Sequence, residues 1–327
     1  MKKNILITGC AGFIGFSVTK VLLQKGHKIY GVDNINNYYS VKLKKDRIKE
    51  LYKINKNFKF YKIDISDEKK IFSLFKNLKI DKVLHLAAQA GVRYSLENPK
   101  TYIKSNLDGF FNILQCCKDF KVTKLVYASS SSVYGKTNKI PFKENQNTNN
   151  PEQLYAATKK SNELMAQSYS NLFNLNMTGL RYFTVYGPWG RPDMAIFSFV
   201  KDALENKKID IFNKGNHHRD FTFIDDVADI TVKILLSKKN SKNEIYNIGN
   251  NKPIKLSRLI YLIEKKLNLK IKKNFLPFQK GDVFKTYANI NKTKKDFNYK
   301  PKENIETGLS KFIKWYKNYN NIFDEFK

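Results

Sequence analysis

The sequence predicts an α/β protein: a doubly wound parallel sheet with helices on both faces and a smaller mixed α/β lobe beside it. Three observations carry this. Over the first 130 of 327 residues, short apolar runs alternate with stretches of helical spacing, the pattern of a parallel sheet with covered faces. The first apolar run ends in a set of spaced glycines. After Tyr182 the units become shorter and less regular, which fits a second unit packed beside the sheet.

The elements follow in order. Residues 3–8 are a short apolar run, and 13–24 have helical spacing. Residues 28–32 form a second run that ends at Asp33, and 58–63 a third that is followed by Asp64. Residues 67–77 read as a helix opening on an acidic first turn. A fourth strand over 82–86 ends in Ala87-Ala88, a long helix covers 99–119, and a fifth strand covers 124–128. The polar, turn-rich stretch 135–153 reads as loop. A helix over 151–173 and a strand over 176–181 follow. The second lobe then shows helices near 194–206 and 225–237, a strand near 244–248, and helices near 256–267 and 303–319. No internal repeat is visible.

Composition excludes several classes. No apolar run reaches the roughly 18 residues of a membrane span. The N-terminal apolar stretch stops at a glycine turn, too early for a secretory leader. Three cysteines, Cys10, Cys116 and Cys117, do not make a disulfide framework. No Cys/His spacing makes a zinc site. A cytoplasmic protein is the expectation. The net charge of +31 rests on 60 basic residues, of which 54 are Lys and 6 are Arg. The lysines are spread along the whole chain. Nucleic-acid binding predicts a clustered patch instead, so the excess reads as codon bias and solvated faces. Neither a nucleic-acid nor a membrane partner is expected.

The first strand runs into Gly9-Cys10-Ala11-Gly12-Phe13-Ile14-Gly15. Gly9 permits the tight turn, Gly12 lets backbone approach phosphates, and Gly15 lets the helix pack close to the sheet. The helix N-terminus then offers free N–H groups to a pyrophosphate. A strand–turn–helix of this kind is the Rossmann-type dinucleotide site. Asp33 ends the second strand, where a carboxylate takes both hydroxyls of an adenosine ribose and repels a 2′-phosphate. NAD is therefore expected as the cofactor. Asp64 closes the third strand on the adenine side.

Tyr155 and Lys159 stand at i and i+4 of a predicted helix and share one face. An ammonium beside a phenol favours the phenolate, which makes a base for a hydroxyl proton. The fifth strand ends in Ser129-Ser130-Ser131-Ser132, at the carboxyl edge where ligands sit in such sheets.

With these residues in place, the chain resembles the extended short-chain dehydrogenase/reductases, and within them the nucleotide-sugar 4-epimerases. The carriers are Gly9, Gly12, Gly15, Asp33, Asp64, His85-Leu86-Ala87-Ala88, Asn106, Ser130, Tyr155 and Lys159. More specific are residues 90–95, 181–194, 219–226 and 281–283. The resemblance implies Ser130, Tyr155 and Lys159 as the catalytic set. It adds Phe13, Ile14, Asn34, Ile65, Leu86, Ala87, Ala88, Gln89, Asn106 and Phe183 to the dinucleotide site. It also implies a UDP-sugar substrate, with Arg219 on the diphosphate and Asp282 on the uridine ribose. The implied reaction is epimerisation through a transient 4-keto sugar with no net redox. The division it implies is a Rossmann domain over 1–184 and 217–252 and a sugar-nucleotide lobe over 185–216 and 253–327. A homodimer through helices 99–119 and 151–173 is implied as well.

Within that family, 4,6-dehydratases follow the catalytic Ser/Thr with Asp-Glu, decarboxylases carry Glu at the position of Ser132, and reductase-epimerases need a Cys just after the serine. This chain has Ser131 and Ser132 there, which leaves simple epimerisation. The resemblance places Arg93, Ser131, Ser132, Thr184 and Arg191 near the sugar. An Arg kept in so lysine-rich a chain points to a fork that Lys cannot supply, and so to a C6 carboxylate. UDP-glucuronate is the expected substrate, with a neutral UDP-sugar as the alternative.

Overall fold

The computed structural model describes residues 2–137, 139–239, 242–278 and 281–324. The first six strands are β1 (Asn4–Thr8), β2 (Lys28–Asp33), β3 (Phe58–Lys62), β4 (Lys82–His85), β5 (Lys124–Ser130) and β6 (Met177–Tyr182). Shorter ones follow: β7 (Thr184–Tyr186), β8 (Ile209–Phe212), β9 (His218–Phe223), β10 (Asn243–Ile248), β11 (Pro253–Lys255) and β12 (Lys273–Leu276). The main sheet has seven strands in the order β10-β6-β5-β4-β1-β2-β3, and every neighbouring pair is parallel.

The chain enters the sheet at β1, runs outward to β3, then returns to the other side of β1 at β4. That reversal opens a crevice at the carboxyl ends of β1 and β4. Both faces are covered, so the central strand β1 is buried on both sides rather than alternating. Ile5 and Ile7 enter one cluster with Phe16, Val18 and Leu22. Leu6 enters the other, with Ile71, Phe75, Phe110 and Ile113. The helices Phe13–Gln24 and Ile224–Leu236 pack together over the first cluster. Two smaller sheets carry the rest: β11-β9-β7, and the parallel pair β12-β8.

Besides the unexpected short strands β7, β8, β9, β11 and β12 and the helix Asn291–Phe297, the structure departs from the sequence expectation in four places. A helix, Val41–Ile54, occupies a stretch in which none is expected. It starts at Ser40, whose hydroxyl accepts from the Leu43 N–H at 3.2 Å. It buries Leu43, Ile48 and Leu51, but Arg47 fills the core position between them, so no apolar period shows. The expected single helix over 99–119 is instead Pro99–Tyr102, a π-helical segment Ile103–Asp108, and Gly109–Asp119. The fifth strand runs on to Ser130, which puts two serines at its tip. The helix expected from residue 151 begins at Leu154.

Candidate active site

The crevice is a cavity of about 410 Å³. One wall is the glycine turn. Gly9 has φ +74°, and a Cβ there would lie 2.7 Å from the Ala87 nitrogen. A Cβ on Gly15 would meet the Gly9 carbonyl oxygen at 2.0 Å. No side chain caps the helix Phe13–Gln24, and Gly12, Phe13 and Ile14 line the cavity. An uncapped helix start with bare backbone around it is the arrangement that holds a pyrophosphate.

Asp33 closes this wall. Its carboxylate accepts from the Ala11 N–H at 3.2 Å and the Ile35 N–H at 2.9 Å. Burial pushes its pKa up, against those bonds and the nearby Lys44 and Arg47 charges. Asp64 is also desolvated, but hydrogen bonds from Ser66 and Asn34 outweigh this and hold it below the usual carboxylate range. Beneath the turn, His85 on β4 shares a 2.8 Å hydrogen bond with the Thr8 hydroxyl of β1. Burial and the Lys159 charge push its pKa down to about 3.

The opposite wall starts at the tip of β5. Ser130 Oγ accepts from the Ser132 N–H at 3.1 Å, and its hydroxyl lies 3.1 Å from that of Ser132. The helix Leu154–Phe173 presents Tyr155 and Lys159 to the cavity. A buried ion pair fixes that helix against the sheet: Arg181 of β6 grips Glu163 with two bonds of 2.8 Å. Ser129 donates to the same carboxylate at 2.6 Å, so the serines and the tyrosine helix share one anchor.

The Lys159 ammonium donates to the Ala128 carbonyl at 2.9 Å, and burial lowers its pKa to about 8. Burial raises the Tyr155 pKa, while a hydrogen bond with Ser130 and the charge of Arg191 pull it back.

Ser131, Ser132, Thr184, Arg191, Arg219 and Asp282 all line the same cavity, from four separate segments. Arg219 and Asp282 face each other at 3.5 Å. Arg191 donates through Nε and Nη2 to Asp193, and the Tyr38 hydroxyl donates to the same carboxylate at 3.1 Å. Phe183, Asn34, Ile65 and Leu86–Ala88 also line the cleft.

Three expected residues stand elsewhere. Arg93 lies exposed, its guanidinium 4.6 Å over the Phe212 ring. Asn106 and Gln89 are buried behind the wall. Asn106 accepts from the Gln89 N–H at 2.8 Å and donates to its carbonyl at 3.1 Å, so the π-helical segment braces the loop after β4. Conversely, Asn36, Tyr38, Lys44, Ser105 and Met194 line the cleft without having been singled out as site residues.

The family model for the NAD-dependent epimerase/dehydratase family matches residues 5–249. The chain belongs to that family. UDP-glucuronate 4-epimerase of Thermodesulfobacterium geofontis is 47% identical to it over 95% of each chain. Protein CapI of Staphylococcus aureus is 48% identical over 97% of this chain and 99% of its own length. The crystal structure of UDP-glucuronic acid 4-epimerase from Bacillus cereus, in complex with UDP-glucuronic acid and NAD, superposes with a TM-score of 0.91. It is 35% identical and covers 97% of this chain and 99% of its own. The glycine turn, Asp33 and the Ser130–Tyr155–Lys159 group thus lie in a family whose description names NAD, and the cradle described above fits that cofactor.

Proposed function

We propose that this protein interconverts UDP-glucuronate and UDP-galacturonate by epimerisation at C4. The observation that carries the reading is one cavity that joins a bare glycine turn to Ser130, Tyr155 and Lys159 and also to Arg191. NAD held along the glycine turn, with Asp33 at its ribose, supplies the hydride chemistry at C4. Tyr155 takes the proton of the sugar O4, and Ser130 hydrogen-bonds that oxygen. Lys159 contributes positive charge from the same helix face. The 4-keto sugar turns over in the cavity before Tyr155 returns the proton.

Ser131, Ser132, Thr184 and Arg191 receive the C6 carboxylate. No acid/base pair follows Ser130, so water elimination has no catalyst. Arg219 and Asp282 take the UDP end. Residues 1–184 and 217–252 form the nucleotide-holding part, with β10 completing its sheet, and 185–216 and 253–327 form the sugar-nucleotide lobe. A second copy of the chain covers Ile103, Phe111 and Leu164, which stand 41%, 42% and 60% exposed on the helices expected to make a dimer. Three free, buried cysteines suit a reducing cytoplasm, where the product feeds assembly of an acidic polysaccharide.

The test is incubation of the purified protein with UDP-glucuronate, without added NAD, followed by proton NMR. The H4 couplings distinguish the two epimers. A mixture of both supports the reading. A pentose product overturns it in favour of decarboxylation, and turnover of neutral UDP-sugars alone moves it to the rival epimerase.

A further inference from the structure

The helix Val41–Ile54 carries one group that the reading above leaves without a task. Arg47 is completely buried, yet its partners are carbonyl and hydroxyl oxygens. Nη1 donates to the Ala11 carbonyl at 2.7 Å and to the Tyr39 hydroxyl at 2.8 Å. Nη2 donates to the carbonyls of Trp189 at 2.6 Å and Gly190 at 3.1 Å. A buried cation is costly unless hydrogen bonds compensate it, so four such bonds define a built feature.

The two ends of this bridge come from segments far apart in the chain. Ala11 sits inside the glycine turn, and its N–H donates to Asp33. Trp189 and Gly190 directly precede Arg191. Trp189 has φ +63°, a left-handed backbone that bulky residues rarely adopt and that persists where the surroundings over-determine it. Its ring is held 5.2 Å from Phe16 and 5.3 Å from Tyr319, and its carbonyl is held by Arg47. A planar fork can serve two separated pairs of oxygens, whereas a lysine ammonium is a single point.

We propose that Arg47 is a positioning residue that ties the glycine turn to the Trp189–Gly190 turn, so that the backbone beneath the dinucleotide fixes where Arg191 stands against the sugar. This rests on the reading of Arg191 as a contact of the substrate carboxylate.

The experiment compares Arg47→Lys, Arg191→Lys and the double variant in the full chain. It measures KM and kcat on UDP-glucuronate, UDP-glucuronate affinity by calorimetry, and NAD retained after gel filtration. Arg47→Lys is expected to raise KM about tenfold with kcat within threefold of the parent, and to retain less NAD. The double variant is expected to be no worse in KM than Arg191→Lys alone, because both changes act on one contact. Tyr39→Phe, which deletes only the hydroxyl beside Nη1, should move KM two- to threefold in the same direction. It keeps the test open if Arg47→Lys does not fold. An unchanged KM in folded Arg47→Lys beside a raised one in Arg191→Lys overturns the positioning role, as does multiplication of the two effects. An unchanged KM in Arg191→Lys sinks the reading of Arg191 itself, and with it the sugar-directed role.

Discussion

The glycine-turn wall of the cleft is made of backbone, and the serine–tyrosine wall is made of side chains. The first comes from one contiguous stretch in which Gly9, Gly12 and Gly15 clear space and a helix start supplies N–H groups. The second gathers Ser130–Ser132, Tyr155 with Lys159, Thr184 with Arg191, and Arg219 with Asp282 from segments far apart in the chain. Backbone geometry tolerates any side chain that does not intrude, so the first wall fixes a cofactor class. Side-chain chemistry changes with single substitutions, so the second wall sets what happens to the sugar.

The largest effect that separates the two walls is expected from Tyr155→Phe. Removing a general base costs about 10²–10⁴ in rate, so turnover of UDP-glucuronate should fall by that range. NAD content, read by absorbance of the purified protein, should stay as in the parent. Equal loss of both would erase the distinction between the walls. Gly15→Ala tests the other wall. Its Cβ would collide with the Gly9 carbonyl at 2.0 Å, and overpacking of this kind costs about 1–3 kcal/mol. Lower melting temperature and loss of NAD should appear together.

A pH experiment reaches beneath the glycine turn. His85 is held neutral, with a pKa of about 3 against an ordinary 6.5. Between those values the unfolded chain binds a proton that the folded chain refuses. Stability from this group is therefore full above pH 6.5 and declines as pH falls, by about 1.4 kcal/mol per pH unit. His85→Asn should be less stable than the parent at pH 7.5, with the gap narrowing steadily toward pH 4 in denaturant titrations. A constant gap would refute the titration. The smallest effect is expected at Thr184. Thr184→Val removes one hydroxyl from the carboxylate's surroundings, worth about 1 kcal/mol. It should raise keto-pentose release several-fold relative to epimer in the NMR assay, with NAD content unchanged.

Legibility in the sequence follows the same division. The strand–turn–helix around Gly9–Gly15, Asp33 and the i, i+4 pair Tyr155/Lys159 are local patterns, and each could be read directly. The helix Val41–Ile54 was invisible because Arg47 occupies a position where the period calls for an apolar residue. The strands β7, β8, β9, β11 and β12 run three to six residues, too short for a period-2 signal among mixed residues. Asn106 and Gln89 came only from the resemblance, and in the structure Asn106 bonds the Gln89 backbone and the Thr158 hydroxyl. The scarcity of arginine was informative in a broader way than expected. It marked Arg191, Arg219 and also Arg93, which does not line the cavity, while the same fork geometry recurs at Arg181 on Glu163 and at Arg47 on four oxygens.

The order β10-β6-β5 has a consequence for biosynthesis. Strand β6 ends at residue 182 and its neighbour β10 ends at residue 248, so 248 − 182 = 66 residues separate their completion. At about 5–20 residues per second, this strand stands as an open edge for roughly 3–13 s on the ribosome. Its sequence, Met177-Thr178-Gly179-Leu180-Arg181-Tyr182, is buried along its whole length in the finished fold, so the nascent chain presents an edge of unpaired N–H and C=O groups. Any slowing of translation between the two strands lengthens the period in which neighbouring chains on a polysome can add to that edge.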